Sequence, residues 1–161
     1  MVDLRKESIM ERCTRVLPPE ALVEDLLEVL EETDSVPLVI SGSSMTPFLV
    51  HGRDTVFLSK MDCVPQKGDM IFYRRANGSY ILHRVFRAGE NACDMVGDAQ
   101  TVIEKGVPRE RMLAIVTAVR RKGKLLKKGS FWWDFFEKVW IRLVPMRPLL
   151  VRCYGLFQKK R

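Results

Sequence analysis

Long apolar runs are missing from this 161-residue sequence, and their absence excludes two kinds of segment. No stretch stays apolar over the roughly 18 residues that a transmembrane helix needs, so no conventional membrane span is predicted. Met1 to Arg15 is charged throughout and lacks the apolar centre of a signal peptide. The sequence therefore predicts a cytoplasmic protein.

Histidine and closely paired cysteine are also scarce. The only histidines are His51 and His83, and the cysteines form no C-x-x-C pair, lying far apart at Cys13, Cys63, Cys93 and Cys153. Zinc sites need such ligands at short spacings. The sequence thus predicts no metal and no cofactor, and it predicts reduced structural thiols.

Acidic residues are nearly absent from one end of the chain, although the net charge is only +7. Residues 1–35 carry 4 basic and 10 acidic side chains, whereas residues 120–161 carry 13 basic and 2 acidic ones. Residues 36–119 are close to neutral, with 10 basic and 8 acidic side chains. The cationic end predicts an anionic partner, which is a membrane surface, a nucleic acid or the acidic N-terminal segment itself.

The hydrophobic pattern divides the chain into three parts. Residues 1–35 contain an acidic amphipathic helix that begins at Pro18-Pro19 and repeats apolar residues at helical spacing. Residues 36–120 alternate with period two between turn signals and form a predicted β domain. Its predicted strands are Val36–Ile40, Thr55–Lys60, Asp69–Arg74, Tyr80–Arg87, Ala92–Val96 and Met112–Arg120. Asn77-Gly78 is typical of a hairpin turn. The predicted fold is mainly β.

Residues 121–161 are predicted to be a basic linker followed by an amphipathic helical tail. All three tryptophans lie between Phe131 and Val144, interleaved with charged residues, and Pro145 and Pro148 interrupt the helix. This mixture is typical of a helix lying on an anionic membrane surface, which would make the protein peripheral at the membrane. Packing against the β domain is the alternative, and nucleic-acid stacking is the least favoured one.

Three side chains are candidates for chemistry. Ser44 lies in a small-residue turn after the first predicted strand, His83 lies within a strand, and Asp98 follows a strand at a glycine turn. They supply a nucleophile, a base that is neutral near pH 7, and a carboxylate to orient that base. An ordinary imidazole would make activity rise with pH between about 6 and 7. Each residue also fits a structural role, as a turn serine, a core histidine or a turn aspartate, and spacing alone leaves both interpretations open.

The turn Ser41-Gly42-Ser43-Ser44-Met45-Thr46-Pro47 resembles the nucleophile motif of type I signal peptidases, whose superfamily includes the SOS-repressor autoproteases. Lys67-Gly68-Asp69-Met70-Ile71-Phe72 is similar to a strand start of that family, and Ile81-Leu82-His83-Arg84-Val85 falls where the family has its general base. Histidine at that place, together with Met95-Val96-Gly97-Asp98-Ala99-Gln100, resembles the histidine-type branch. The motifs occur in the family's order over residues 38–119, so the resemblance implies that residues 36–120 are a peptidase-like catalytic domain.

The resemblance implies a β-fold serine endopeptidase that works through an acyl-enzyme. Ser44 would attack the peptide carbonyl, His83 would take the proton, and Asp98 would hold the imidazole ring. The Ser44 N–H, with Ser43, Ser41 and Gly42 in support, would stabilise the oxyanion.

Met45 and Phe48 would line the substrate cleft, although a core role is the alternative for both. The family's N-terminal membrane anchor has no counterpart here, so a cytoplasmic or membrane-surface substrate is expected. Glu104 is the acidic residue nearest to the family's second acidic position. The alternative function is a repressor-like or non-catalytic binding module of the same fold.

Overall fold

The computed structural model describes residues 19–147, with side chains from Val23 onward. Within these residues the chain is mainly β, as predicted, and begins with helix α1 (Pro19–Glu32). The strands are β1 (Val36–Val39), β2 (Thr55–Lys60), β3 (Met70–Arg74), β4 (Tyr80–Ala88), β5 (Ala92–Val96), β6 (Glu104–Pro108), β7 (Met112–Arg121) and β8 (Lys124–Lys127). A short 3₁₀ turn, Arg109–Arg111, precedes β7.

The strands form one antiparallel sheet in the order β1-β2-β7-β3-β4-β5-β6. β7 is long enough that its first half pairs with β3 and its second half pairs with β8. The β3–β4 hairpin turns at Asn77-Gly78, as predicted, and Gly78 has a φ of +86° that favours glycine. Its register places Ile71 opposite His83 and Tyr73 opposite Ile81.

The six predicted strands are confirmed to within one residue at their ends. Two further strands, β6 and β8, lie where the sequence predicted none. β6 reads Glu-Lys-Gly-Val-Pro, which has few β-forming residues, and its pairing with β5 decides its conformation. β8 lies in the stretch predicted to be a linker, and it folds back on β7 through Lys122 and Gly123, both at positive φ.

Apolar residues fill both faces of the sheet because side chains alternate along each strand. On one face α1 places Val23, Leu26 and Leu30 against β1 and β2, at the helical spacing predicted from the sequence. The other face holds a second cluster, built on Ile71, Tyr73, Val85, Cys93, Met95, Val107 and Met112. Consecutive residues of β4 therefore contact different cores.

The C-terminal helical segment packs on the sheet. It consists of α2 (Phe131–Asp134), a π-helical turn (Phe135–Val139) and a 3₁₀ segment (Trp140–Met146). Trp133, Phe136 and Ile141 are buried. Residues 131–147 thus pack within the protein, which was the alternative to a helix lying wholly at a membrane surface. The rest of the predicted tail, residues 148–161, lies outside the described residues, as does the N-terminal stretch from Met1 to Arg15. Within residues 19–147, no helix is both long enough and apolar enough to cross a membrane.

Candidate active site

Ser44 lies in a turn that the backbone fixes at both ends. We call Ser41–Pro47 the nucleophile turn. Before it, the Ile40 N–H donates to the Asp54 carbonyl at 2.9 Å, and within it the Thr46 N–H donates to the Ser43 carbonyl at 3.1 Å. Ser41, Gly42 and Ser43 are exposed, whereas Ser44 is partly buried. The turn thus places Ser44 at the edge of the protein body, between exposed and buried residues.

His83 is a buried, neutral imidazole. Its exposed fraction is 1%, and its Nδ1 lies 3.2 Å from the Tyr73 hydroxyl. Burial, and then the charge of Arg75, lower the pKa of His83 from 6.5 to about 4. Its Nε2 is buried and has no hydrogen-bond partner among the described residues, so the Ser44 hydroxyl does not donate to it here. Near pH 7 this histidine is in the form that accepts a proton.

Gly97 is where the nucleophile turn and the histidine meet. A Cβ atom at Gly97 would lie 2.6 Å from the Ser44 carbonyl oxygen and 3.1 Å from His83 Nε2. The Ala99 N–H donates to the same Ser44 carbonyl at 2.8 Å. Because only glycine leaves room for this approach, the 97–100 loop, which follows β5, brings Ser44 and His83 to one place.

Asp98 does not hold the His83 ring. Its carboxylate accepts from Arg84 Nε at 2.9 and 3.1 Å, and both side chains are fully buried. Successive side chains of a strand point to opposite faces, so Arg84 reaches Asp98 while His83 faces the other core. Burial raises the pKa of Asp98, and the charges of Arg84 and Arg147 oppose that rise. The role implied for Asp98 by the signal-peptidase resemblance is therefore replaced by an ion pair.

The C-terminal helical segment fixes the 97–100 loop through hydrogen bonds to the loop's backbone carbonyls. Trp140 Nε1 donates to the Asp98 carbonyl at 2.8 Å. Arg147, which is 1% exposed, donates from Nη1 to the carbonyls of Gly97 at 2.7 Å and Gln100 at 2.6 Å. Arg84 and Arg147 are site residues that sequence reasoning missed, because only the fold shows that they reach this loop.

The remaining predicted site residues belong either to the nucleophile turn or to the hydrophobic core. The Gly42 N–H donates to His51 Nδ1 at 3.1 Å, so it orders the turn and is not available to an oxyanion. Met45 is 3% exposed but lines a cavity of about 60 Å³, which lies between the nucleophile turn and the start of β4 and includes Ser44. Phe48 is fully buried and packs against Phe136 with the two rings tilted, so its predicted place in a cleft is wrong and the core alternative holds.

A second polar cluster lies beyond His83. The Tyr73 hydroxyl donates to Glu104 Oε2 at 2.8 Å, and Arg75 Nε donates to the same oxygen at 2.8 Å. Burial alone would raise the pKa of Glu104, but hydrogen bonds from Arg75 and Tyr73 outweigh it and lower that pKa. The hairpin register was the available signal for Tyr73, which lies diagonally across from His83.

Comparisons with known proteins leave the family open. No protein-family model matches the chain, and neither curated proteins nor solved structures gave a significant match. Among residues 19–147, no group of three or more His, Cys, Asp or Glu side chains is placed to hold a metal ion. Cys63 is exposed and Cys93 is buried, and both are free thiols.

Proposed function

We propose that the protein is a serine endopeptidase in which Ser44 is the nucleophile and His83 is the general base. The observation that carries this proposal is the position of His83 Nε2: it is buried, lacks a hydrogen-bond partner and lies against Gly97 beside the Ser44 backbone. A buried polar atom without a partner is costly in a folded protein, and a catalytic role is one of the explanations for such an atom. The resemblance of the motifs to signal peptidases supports the same roles.

In this mechanism the Ser44 hydroxyl attacks the scissile carbonyl and passes its proton to His83 Nε2. The hydrogen bond between them forms when substrate closes the site, since such bonds are often long in unliganded enzymes. The Ser44 N–H, with the Ser41 or Ser43 hydroxyl, stabilises the oxyanion, and one such donor contributes about 3–4 kcal/mol. His83 then returns the proton to the leaving amine, and water releases the acyl group by the same route.

The cavity beside Ser44 points to a small substrate side chain. The cavity has a volume of about 60 Å³. It is lined by Ile40, by Ser41, Gly42, Ser44 and Met45 of the nucleophile turn, and by residues 80–82 of β4. A cavity of this size accommodates a short side chain better than a bulky one. We therefore expect cleavage after a small residue such as alanine.

A peptide-library screen read by mass spectrometry tests the proposed function. The wild-type protein and its Ser44→Ala variant are incubated with the same diverse peptides, with and without anionic vesicles. We expect cuts that only the wild type makes, most of them after small residues. Absence of any serine-dependent cut under every condition would contradict the peptidase and favour the non-catalytic binding module.

We propose that the protein meets its substrate at an anionic membrane surface. Phe131 and Trp132 are 74% and 47% exposed, and Leu125 in the neighbouring strand β8 is 54% exposed. Lys124 and Lys127 are also exposed on that strand. Aromatic side chains next to lysines are typical of proteins that insert shallowly among anionic headgroups.

The double variant Phe131→Ser/Trp132→Ser is expected to bind anionic vesicles at least about tenfold more weakly, because each large apolar side chain that leaves water contributes about 1.5–3 kcal/mol. Sedimentation with vesicles measures the partition coefficient. Binding by the wild type should weaken as salt rises. Val102→Ser is the matched control, because Val102 is an equally apolar surface residue with 79% exposure. Equal loss in the control, or no loss in the double variant, would contradict this surface.

A further inference from the structure

Tyr73, Glu104 and Arg75 form a hydrogen-bonded chain that ends at His83. Tyr73 is fully buried on β3, and its hydroxyl lies between His83 Nδ1 at 3.2 Å and Glu104 Oε2 at 2.8 Å. Glu104 begins β6 and is held by Arg75 through a second contact, from Nη2 at 2.7 Å. Three strands therefore converge on one phenol oxygen.

The hydrogen atoms in this chain can be counted. A phenol has one hydrogen, and a carboxylate paired with arginine can only accept. Burial, and then the hydrogen bond to Glu104, raise the pKa of Tyr73, so the phenol keeps its hydrogen. That hydrogen points to Glu104, and the phenol oxygen is left as an acceptor toward His83. The contact at 3.2 Å then requires the hydrogen of the neutral imidazole to be on Nδ1.

We propose that Tyr73 and Glu104 are positioning residues that fix the hydrogen of His83 on Nδ1 and leave the lone pair of Nε2 facing Ser44. The inference deepens the proposed peptidase function and rests on it for the catalytic consequence only. It gives Tyr73 and Glu104 the role that the resemblance implied for Asp98, whose carboxylate pairs with Arg84.

The tautomer decides whether His83 can act as a base. With the hydrogen on Nε2, the atom beside Ser44 would be a donor and could not take a proton from the hydroxyl. Loss of the correct tautomer lowers kcat by about 10⁴ in a well-studied serine peptidase. Nε2 is buried and has no hydrogen-bond partner of its own among the described residues, so the contacts of Nδ1 select the tautomer.

Long-range ¹H–¹⁵N NMR spectra at pH 8 test the proposal, because they show which imidazole nitrogen carries the hydrogen. We expect His83 to be protonated on Nδ1 in the wild type. His51 is the internal reference with the opposite tautomer, since its Nδ1 accepts from the Gly42 N–H. Assignment follows from loss of one signal set in His51→Ala.

Tyr73→Phe removes the acceptor of the Nδ1 hydrogen, and Glu104→Gln removes the anion that aligns the phenol. We expect the His83 hydrogen to move to Nε2 in Tyr73→Phe and to be shared between the two nitrogens in Glu104→Gln. On the peptide found by the screen, kcat should fall at least about tenfold in both variants with KM nearly unchanged. Glu110→Gln, at an exposed carboxylate just after β6, is the matched control.

The NMR result separates this proposal from the proposed function. A wild-type hydrogen on Nε2, or an unchanged tautomer in both variants, would overturn the positioning role whatever the activity. A tautomer that behaves as expected in a protein that cleaves no peptide would leave the positioning role intact and overturn the peptidase. A variant that merely lost stability would unfold at lower temperature without changing the tautomer of its folded form.

Discussion

Alanine at Ser44 or at His83 is expected to abolish most cleavage, and the double variant should be no less active than the worse single variant. A nucleophile and its base act as one unit, so their losses do not add. Loss of the base should cost about 10²–10⁴-fold in rate, and loss of the nucleophile on the order of 10⁶-fold in kcat. Initial rates on the peptide found by the screen give kcat and KM for each variant.

His51→Ala is the matched control, because His51 is the other histidine of the sequence and its ring is exposed. It should retain activity within a few-fold of the wild type, since its contact orders the Gly42 N–H and touches no reacting atom. Thermal unfolding of each variant establishes that the protein remains folded. Additive losses at Ser44 and His83, or equal losses at His51, would contradict the assigned pair.

The pH profile of the same reaction is a second readout of His83. The pKa of about 4 predicts activity that is flat from pH 5 to 8 and falls toward pH 4, in place of the rise between 6 and 7 expected for an ordinary imidazole. The same pKa shift also makes the folded protein less stable in acid. The unfolded chain binds a proton at His83 with a pKa of 6.5, whereas the folded chain binds it only near pH 4. The stabilisation that is present above pH 6.5 is therefore lost as the pH falls to 4. A rate transition near pH 6.5 would contradict the buried base.

The sequence predicts the sheet well where strands are bounded by strong turn residues. Asn77-Gly78 predicts the β3–β4 hairpin, and its register would also have placed Tyr73 diagonally across from His83. Glu104 could not be found in this way, because β6 lacks β-forming residues and its pairing depends on β5. Local pattern carries the first kind of information, and tertiary pairing carries the second.

The carboxylate of Asp98 illustrates what motif spacing leaves undecided. His83 and Arg84 are neighbours in sequence and point to opposite faces of β4, so either could receive a carboxylate from the 97–100 loop. A buried guanidinium is far more costly to leave unpaired than a neutral imidazole, and Arg84 is therefore the residue that pairs with Asp98.

The sequence also leaves the packing of the C-terminal tail undecided, because an aromatic helix has the same pattern whether it packs on a protein or on lipid. The structure shows one apolar side, with Trp133 and Phe136, packed on the body.

Asp98→Asn is expected to destabilise the protein by about 3–5 kcal/mol, because it leaves the Arg84 charge buried without a counter-ion. Both side chains are 0% exposed, so water cannot replace the lost partner. Arg84→Met should cost a similar amount, whereas Arg84→Met/Asp98→Asn should recover much of the loss, since removing both charges leaves neither unpaired. Urea unfolding of the four proteins gives the coupling energy as a double-mutant cycle.

The exposed pair Lys60–Glu31 is the control for this cycle, and Glu31→Gln should cost less than about 1 kcal/mol of stability.

The tautomer of His83 in Asp98→Asn shows what Asp98 does for the site. The 97–100 loop contacts both Ser44 and His83, so Asp98→Asn should lower kcat by misplacing Gly97 and Ala99, while the His83 hydrogen stays on Nδ1. If that hydrogen moved to Nε2 in Asp98→Asn but not in Tyr73→Phe, Asp98 would orient the ring after all, and the chain from Glu104 through Tyr73 would be only structural.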